Sequence, residues 1–188
     1  MSRVLILYGT TDGHTRKIAT ALGGVLSWEG SRVEVVDAQD VSAEVRPDDY
    51  DGVIVAASIH MGGYQRAVTR WVRRHADALN HRPSAFISVC LGVLEPREEA
   101  QREVRDIMQR FLDRCDWQPA VTKTVAGALR YTKYGWLKKW IMRRIVAKAG
   151  GDIDTTRDYE YTDWDDVRAF ARAFAWRIET IHATGAVS

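Results

Sequence analysis

Residues 4–15 read V-L-I-L-Y-G-T-T-D-G-H-T. A short apolar run ends in a turn rich in threonine and glycine, and an amphipathic pattern with three- and four-residue spacing follows at once. The apolar positions of that pattern are Ile18, Leu22, Val25 and Leu26. The pattern predicts a strand, a loop and a helix, with the loop at the helix N-terminus. Unpaired backbone N–H groups and the positive end of the helix dipole bind anions at such a place.

The loop itself has the composition of a phosphate-binding loop. Its members are Thr10, Thr11, Asp12, Gly13, His14 and Thr15. The three threonine hydroxyls add hydrogen-bond donors, and the glycine lets the backbone approach a ligand closely. The loop has no lysine, unlike G-x-x-x-x-G-K-[ST], and it does not match G-x-G-x-x-G. A phosphate held by hydroxyls and amides alone favours a monophosphate ester such as FMN, and the alternative is a capped helix that binds nothing.

Length and composition are those of one globular domain. The chain has 188 residues, of which 46% are hydrophobic and 28% are charged, so residues 1–188 are expected to form a single domain with a sizeable core. No run approaches the roughly 18 apolar residues that a membrane-spanning helix needs, and the first apolar run is too short for a signal peptide. Cys90 and Cys115 are the only cysteines, and their spacing is no metal motif. These features predict a reduced, cytoplasmic protein without a metal.

The rest of the chain alternates strand and helix signals. Further strands are predicted at residues 32–37, 51–58, 85–90 and 121–129, and helices at residues 67–79 and 97–115 and after a capping signal at Thr162. Continuous apolar runs are typical of parallel strands that are buried on both faces. The fold class is therefore α/β, with a doubly wound, five-stranded parallel sheet in the flavodoxin-like order 2-1-3-4-5.

Ligands of such sheets bind at the carboxyl ends of the strands, beside the switch in strand order. Two further segments should reach this edge. The first is Ser58, Ile59, His60, Met61 and Gly62, and the second is Ser88, Val89, Cys90, Leu91 and Gly92. A methionine, paired glycines and a following aromatic suit a flat ring that lies against backbone, and the alternative is a surface turn.

Three side chains of these loops have chemistry of their own. Cys90, at the end of a buried strand, is read as a small core residue and not as a redox group. His14 and His60 could each donate a hydrogen bond to a phosphate or a flavin. No partner carboxylate can be placed for either histidine from the sequence, so the catalytic residue stays unknown.

A basic, aromatic insertion at residues 130–151 departs from a minimal domain of this kind. No acidic residue occurs from Trp117 to Gly151, whereas eight lysines and arginines do. The rest of the chain has 19 basic and 25 acidic residues. Its net charge is therefore weakly negative, although the net charge of the whole chain is +2. From Trp136 the spacing predicts an amphipathic helix with an apolar stripe beside a basic face.

Such a helix is typical of contact with an anionic membrane surface, and we assign that contact to residues 131–149. Three other uses stay open: packing on the domain, gripping nucleic acid, and clamping the carboxylates of a substrate. Nucleic acid is not expected as a partner, because the basic charge is confined to one insertion.

The whole chain resembles a known family, the flavodoxin-like, quinone-dependent protoporphyrinogen IX dehydrogenases of bacteria. The stretches that carry the resemblance are L-I-L-Y-G-T-T-D-G-H-T-R-K-I-A, A-A-S-I-H-M-G-G-Y, R-P-S-A-F-I-S-V, G-A-L-R-Y and G-G-D-I-D-T-T-R-D-Y-E-Y-T-D-W. They include the two ends of the insertion, which ordinary flavodoxins lack. The segment L-G-V-L-E-P-R-E-E at residues 91–99 does not match the family's pattern.

The resemblance implies FMN as cofactor, oxidation of protoporphyrinogen IX to protoporphyrin IX in haem synthesis, and transfer of the electrons to menaquinone or ubiquinone. It places the family's phosphate loop at residues 10–14 and extends its FMN region from near Ser88 into the insertion. It further implies a cytoplasmic protein on the inner face of the cell membrane. Two other readings are an electron-carrier flavodoxin and an NAD(P)H–quinone reductase on the same fold.

Overall fold

In a computed structural model, which describes residues 1–95, 97–129 and 159–185, the main sheet is parallel and five-stranded. Its strands are β1 Arg3–Gly9, β2 Arg32–Asp37, β3 Gly52–Ser58, β4 Ser84–Cys90 and β5 Val121–Ala126. Their order is β2-β1-β3-β4-β5, with parallel register throughout. The strand order and fold class predicted from the sequence are therefore confirmed.

Helices cover both faces of this sheet. They are α1 His14–Trp28, α2 Arg66–Arg74, α3 Ala76–Asn80, α4 Glu98–Cys115 and α5 Trp164–Thr184, with 3-10 turns at Pro47–Asp49 and Gly92–Leu94. One apolar core lies between the sheet and helices α1 and α5, and the other lies under α2, α3 and α4. The three central strands are almost wholly buried, whereas the edge strands β2 and β5 are only partly so. This difference explains why only β2 alternates clearly in the sequence.

The helix predicted at residues 67–79 is divided by His75. Helix α2 ends at Arg74, and the N–H of His75 donates to the carbonyls of Trp71 and Val72 before α3 begins. The prediction of one continuous helix was wrong, because both pieces carry apolar side chains and the periodicity runs across the bend. Leu79 reaches the same core as Trp71 from the second piece.

The last predicted strand also divides. Strand β5 ends at Ala126, and β6 Ala128–Leu129 turns away to pair antiparallel with β7 Tyr159–Glu160. Between them the N–H of Gly127 donates to the carbonyl of Cys90. The chain therefore leaves the main sheet at Gly127, and β6 and β7 form a separate two-stranded sheet.

The amphipathic helix predicted from Trp136 and the membrane segment at residues 131–149 lie outside the described residues. Within the described part of the chain, the helices are all too short or too polar to cross a bilayer.

Candidate functional site

The loop after β1 leads into α1 without a side-chain cap at the helix start. Gly13 occupies the N-cap position with a φ of 84°, and no side chain caps the helix. The Gly13 N–H donates to Thr10 Oγ1 at 2.8 Å, which closes the loop on itself. The first turn of α1 contains no acidic residue. Its N–H groups and the helix dipole together make an anion site.

Thr15 adds a buried hydroxyl to the same place. The residue is 1% exposed, and its Oγ1 has no hydrogen-bond partner among the described residues. A buried polar group without a partner costs about 1–3 kcal/mol. A phosphate oxygen at the helix start would accept this hydrogen bond, so the loop fits a phosphate group.

Gln65 joins this loop to the loop after β3. Its Nε2 donates to Ser58 Oγ at 2.8 Å and to Thr11 Oγ1 at 3.2 Å. The Oε1 atom of Gln65 is buried. A Cβ atom added to Gly9 would lie 2.9 Å from this Oε1 and only 2.4 Å from Val68 Cγ2. Only glycine therefore fits at the end of β1. The sequence analysis missed Gln65, and its one signal is its place between the β3 loop and the first helical residue.

His14 is held away from the loop surface by the chain that returns through β7. Its Nε2 lies 2.7 Å from Thr162 Oγ1, and the residue is 7% exposed. Because the single Thr162 hydroxyl proton is donated to the carbonyl of Ala126, His14 Nε2 must be the donor toward Thr162. The Nε2–H of His14 is therefore engaged with Thr162.

Glu160 adds a second tie between β7 and α1. Its Oε2 accepts a hydrogen bond from Lys17 Nζ at 2.8 Å, and its Oε1 accepts one from the Trp164 indole. The hydrogen bond from Lys17 holds the pKa of Glu160 below its usual value, and the bond from Trp164 acts in the same direction. The start of α1 is thus braced by β7.

The sequence predicted that Thr162 caps the last helix, but it does not. Asp163 is the N-cap residue, and its Oδ1 accepts a hydrogen bond from the Asp166 N–H at 3.0 Å. The Thr162 hydroxyl is occupied instead by Ala126 and His14. The cap was misplaced by one residue because threonine and aspartate stand side by side and both serve as caps.

The loop after β3 is a tight hairpin. The backbones of His60 and Gly63 exchange two hydrogen bonds, and the two central residues, Met61 and Gly62, have φ values of 50° and 76°. Two positive φ values are typical of a type I′ turn. A methionine at positive φ is strained, and this one is 94% exposed. The hairpin therefore presents an apolar side chain and bare backbone at the edge of the sheet.

Ser88 and Val89 lie inside the core and not at the surface of the site. Ser88 is fully buried, and its Oγ lies 2.7 Å from the Tyr64 hydroxyl. The Tyr64 ring packs against Phe86 and Phe111, and burial raises the pKa of its hydroxyl. The Val89 carbonyl accepts a hydrogen bond from the Ile59 N–H, which ties the β3 loop to β4.

The loop after β4 places Cys90, Leu91 and Gly92 beside the hairpin, all partly exposed. Burial raises the pKa of the Cys90 thiol against the lowering effect of backbone hydrogen bonds from Val93 and Gly92. The thiol is therefore neutral at physiological pH and is a poor nucleophile. A Cβ on Gly92 would lie 2.8 Å from Val104 Cγ2, so this turn packs closely on α4.

The three predicted segments do meet at the carboxyl edge of β1, β3 and β4. Thr11 and Ser58 share Gln65, and the Ile59 N–H bonds the Val89 carbonyl. Among residues 1–95, 97–129 and 159–185, no group of three His, Cys, Asp or Glu side chains could hold a metal ion. The arrangement is a loop for an anion beside a hairpin with exposed backbone.

Comparison with known proteins agrees with this geometry. Residues 5–156 match the family model of the flavodoxin domain. The chain is 37% identical over 173 residues to protoporphyrinogen IX dehydrogenase (quinone) of Escherichia coli K12, a match that covers 92% of this chain and 94% of that protein. It is 36% identical to the protein of the same name from Leishmania major, with 92% of this chain and 74% of that protein covered.

Among solved structures, oxidised flavodoxin 1 from Bacillus cereus superposes with a TM-score of 0.56 at 17% sequence identity, covering 92% of this chain and 97% of that one. This likeness concerns the fold, and the flavodoxin domain indicates a flavin cofactor. The resemblance stated from the sequence is thereby confirmed. The chain belongs to the flavodoxin-domain family and, within it, to the protoporphyrinogen IX dehydrogenases (quinone).

Proposed function

We propose that this chain oxidises protoporphyrinogen IX to protoporphyrin IX with FMN as its cofactor and passes the electrons to a quinone. The observation that carries the proposal is the identity of 37% over 92% of the chain with a protein whose name states both the substrate and the acceptor. A shared fold alone would not name a substrate, because one fold supports many functions.

The loop after β1 supports FMN in particular. The hydroxyl of Thr15 has no partner among the described residues, and the first turn of α1 has neither a side-chain cap nor an acidic residue. A monophosphate ester satisfies such donors without the lysine that triphosphate loops use. We assign the phosphate to Thr10, Thr11, Asp12, Gly13, His14 and Thr15.

The flavin ring is assigned to the two neighbouring loops. Ser58, Ile59, His60, Met61 and Gly62 would lie along it from the β3 side, and Cys90, Leu91 and Gly92 from the β4 side. Ser88 and Val89 would support these loops from the core. When bound, FMN supplies a two-electron acceptor, and the residues of the chain position it and shield it from water.

We also propose that the protein works in the cytoplasm at the inner face of the cell membrane. Residues 131–149, which are rich in lysine, arginine and tryptophan, would contact the lipid surface. Menaquinone and ubiquinone are lipid-soluble, so a contact with the membrane would bring the acceptor within reach.

The direct test follows protoporphyrin fluorescence from anaerobic protoporphyrinogen IX with FMN-loaded protein and a water-soluble menaquinone analogue. Quinone-dependent product above the protein-free rate is the expected result. A flat trace from FMN-saturated protein would overturn the proposed substrate. A parallel sample with NADH in place of the porphyrinogen would then distinguish a quinone reductase from an electron carrier.

A further inference from the structure

Helix α2 carries four arginines and no acidic residue. Arg66, Arg70, Arg73 and Arg74 are all exposed, whereas Val68, Trp71 and Val72 are buried. At about 100° per residue these arginines fall within one stripe on the outer face of the helix. The stripe begins one residue after Gln65, which joins the two loops of the candidate site.

A fifth arginine, Arg114 of α4, faces the same space. Together with Tyr64 and Thr69 the five arginines line an open groove of about 710 Å³, which we term the arginine groove. None of the five pairs with a carboxylate of the described part of the chain. Arg102 of α4 shows the contrast, since it pairs with Glu98 at 3.0 Å.

Repulsion between the arginines of the arginine groove destabilises helix α2. Arg66 and Arg70, and likewise Arg70 and Arg74, are four residues apart, a spacing at which like charges repel. Unpaired guanidinium groups that repel one another along one face are stabilised when an anionic partner covers them. The partner must be extended, because the stripe spans the whole nine-residue helix.

We propose that the arginine groove docks on an anionic lipid bilayer. The inference rests on the proposed function, in which the electron acceptor is a lipid-soluble quinone, and it adds a second contact to the one assigned to residues 131–149. Five guanidinium groups exceed what the two propionates of a porphyrinogen can pair with. They match a surface of many phosphate headgroups, with which arginine forms bidentate hydrogen bonds.

Nucleic acid fits the arginine groove less well, because single strands need exposed aromatic rings on which bases can stack. The ring of Tyr64 packs against Phe86 and Phe111, and its hydroxyl bonds Ser88. Trp71 is 5% exposed. The arginine groove thus offers charge without a stacking platform.

The experiment measures co-sedimentation of the FMN-loaded protein with vesicles of equimolar phosphatidylcholine and phosphatidylglycerol, without porphyrinogen or quinone. Each basic residue near an anionic surface contributes about a fivefold gain in partition. We expect Arg70→Glu/Arg73→Glu to bind at least tenfold more weakly, and we expect the remaining binding to be less sensitive to salt. With vesicles of phosphatidylcholine alone, the arginine groove should contribute no binding, so the unmodified protein and Arg70→Glu/Arg73→Glu should co-sediment equally.

The matched control is Arg105→Glu/Arg177→Glu, which changes the net charge equally on exposed helical positions outside the arginine groove. It should bind the anionic vesicles like the unmodified protein. Equal losses in both variants, or no loss in either, would overturn the proposal. So would a loss of single-stranded DNA binding in Arg70→Glu/Arg73→Glu with vesicle binding intact.

Two further readouts separate this inference from the proposed function and from misfolding. Arg70→Glu gains favourable pairs with Arg66 and Arg74 and should raise the Tm by about 2–4 °C, whereas Arg177→Glu should leave it unchanged. The porphyrinogen assay with a water-soluble quinone analogue needs no membrane. Failure of that assay with vesicle binding intact would refute the proposed function and leave the arginine groove a lipid contact.

Discussion

The loops after β1 and β3 lie side by side but are built in opposite ways. The β1 loop is half-buried and closed by the bond from Gly13 to Thr10, and the chain near β7 braces the helix that follows it. The β3 hairpin is held mainly by its own two backbone hydrogen bonds, and Met61 at its tip is almost fully exposed. One loop is closed by a side-chain hydrogen bond and followed by a braced helix, and the other carries strain at its tip.

The difference suits the two parts of a flavin nucleotide. A phosphate binds more tightly to donors that are already in place, because no conformational entropy is then spent on ordering them. A ring needs backbone and apolar surface, and a strained hairpin stores energy that a bound ring could release. This difference between the two loops can be tested by breaking the Gln65 contact that joins them and then by altering each loop in turn.

Gly9→Ala should have the largest effect. The added methyl would stand 2.4 Å from Val68 Cγ2 and 2.9 Å from Gln65 Oε1, so α2 must shift and Gln65 must release Thr11 and Ser58. Overpacking of this kind costs about 1–3 kcal/mol of the free energy of unfolding. Urea denaturation measures the loss, and a flavin titration should show weaker binding as well.

The matched control for Gly9→Ala is Gly24→Ala. Gly24 lies on the exposed side of α1, with nothing within 4 Å of an added Cβ. This change should stabilise the protein by about 0.5–1 kcal/mol, because alanine is the better helix former. Equal stability of the two variants would contradict the close packing of Gly9 on α2.

Thr15→Val tests the β1 loop alone. Removal of the unpartnered hydroxyl should raise the stability of the flavin-free protein by about 1 kcal/mol, because the desolvated group is no longer buried. The same change should weaken FMN binding by roughly 10- to 100-fold, as expected for one hydrogen bond to a charged group. Fluorescence titrations with FMN and with riboflavin measure this effect, and riboflavin, which lacks the phosphate, should bind unchanged.

Thr20→Val, on the exposed side of the same helix, is the control for both readouts and should alter neither. An equal loss of FMN and riboflavin affinity in Thr15→Val would place the threonine against the ring. It would also refute the assignment of the phosphate.

The sequence predicted the sheet well because the central strands are buried on both faces. Continuous apolar runs at residues 51–58 and 85–90 mark such strands without any knowledge of their partners. The same pattern placed the end of β5 too late, at residue 129 and not at Ala126, because Ala128 and Leu129 are as apolar as the strand before them. The departure at Gly127 is fixed by a contact with Cys90, which is distant in the chain.

The site was predictable to the level of loops but not of side chains. Topology brings the ends of β1, β3 and β4 together, so the segments could be named from their position alone. Whether His14 turns outward or toward Thr162 depends on a partner 148 residues away. Gln65 was missed for the same reason, because its function lies in bridging two loops and not in any motif.

Met61→Asn tests the β3 hairpin. Asparagine tolerates positive φ better than methionine, so the variant should gain about 0.5 kcal/mol in the free energy of unfolding. Loss of the apolar side chain should weaken FMN and riboflavin binding by the same factor, in contrast to Thr15→Val. A selective loss of FMN affinity would mean that the hairpin contacts the phosphate.

Glu160→Gln should have the smallest effect, and its pH dependence identifies it. The pKa of Glu160 is lowered in the folded protein, first by the hydrogen bond from Lys17, so the carboxylate stabilises the fold above its unfolded pKa of about 4.3. That contribution is lost as the pH falls through the lower folded pKa. Because the Lys17 side chain is largely exposed, the loss at neutral pH should be only about 0.5 kcal/mol. Thermal melts should therefore separate Glu160→Gln from the unmodified protein at pH values near neutral and converge in strong acid. A difference that persists in acid would mean that Glu160 braces the loop through its shape and not through its charge.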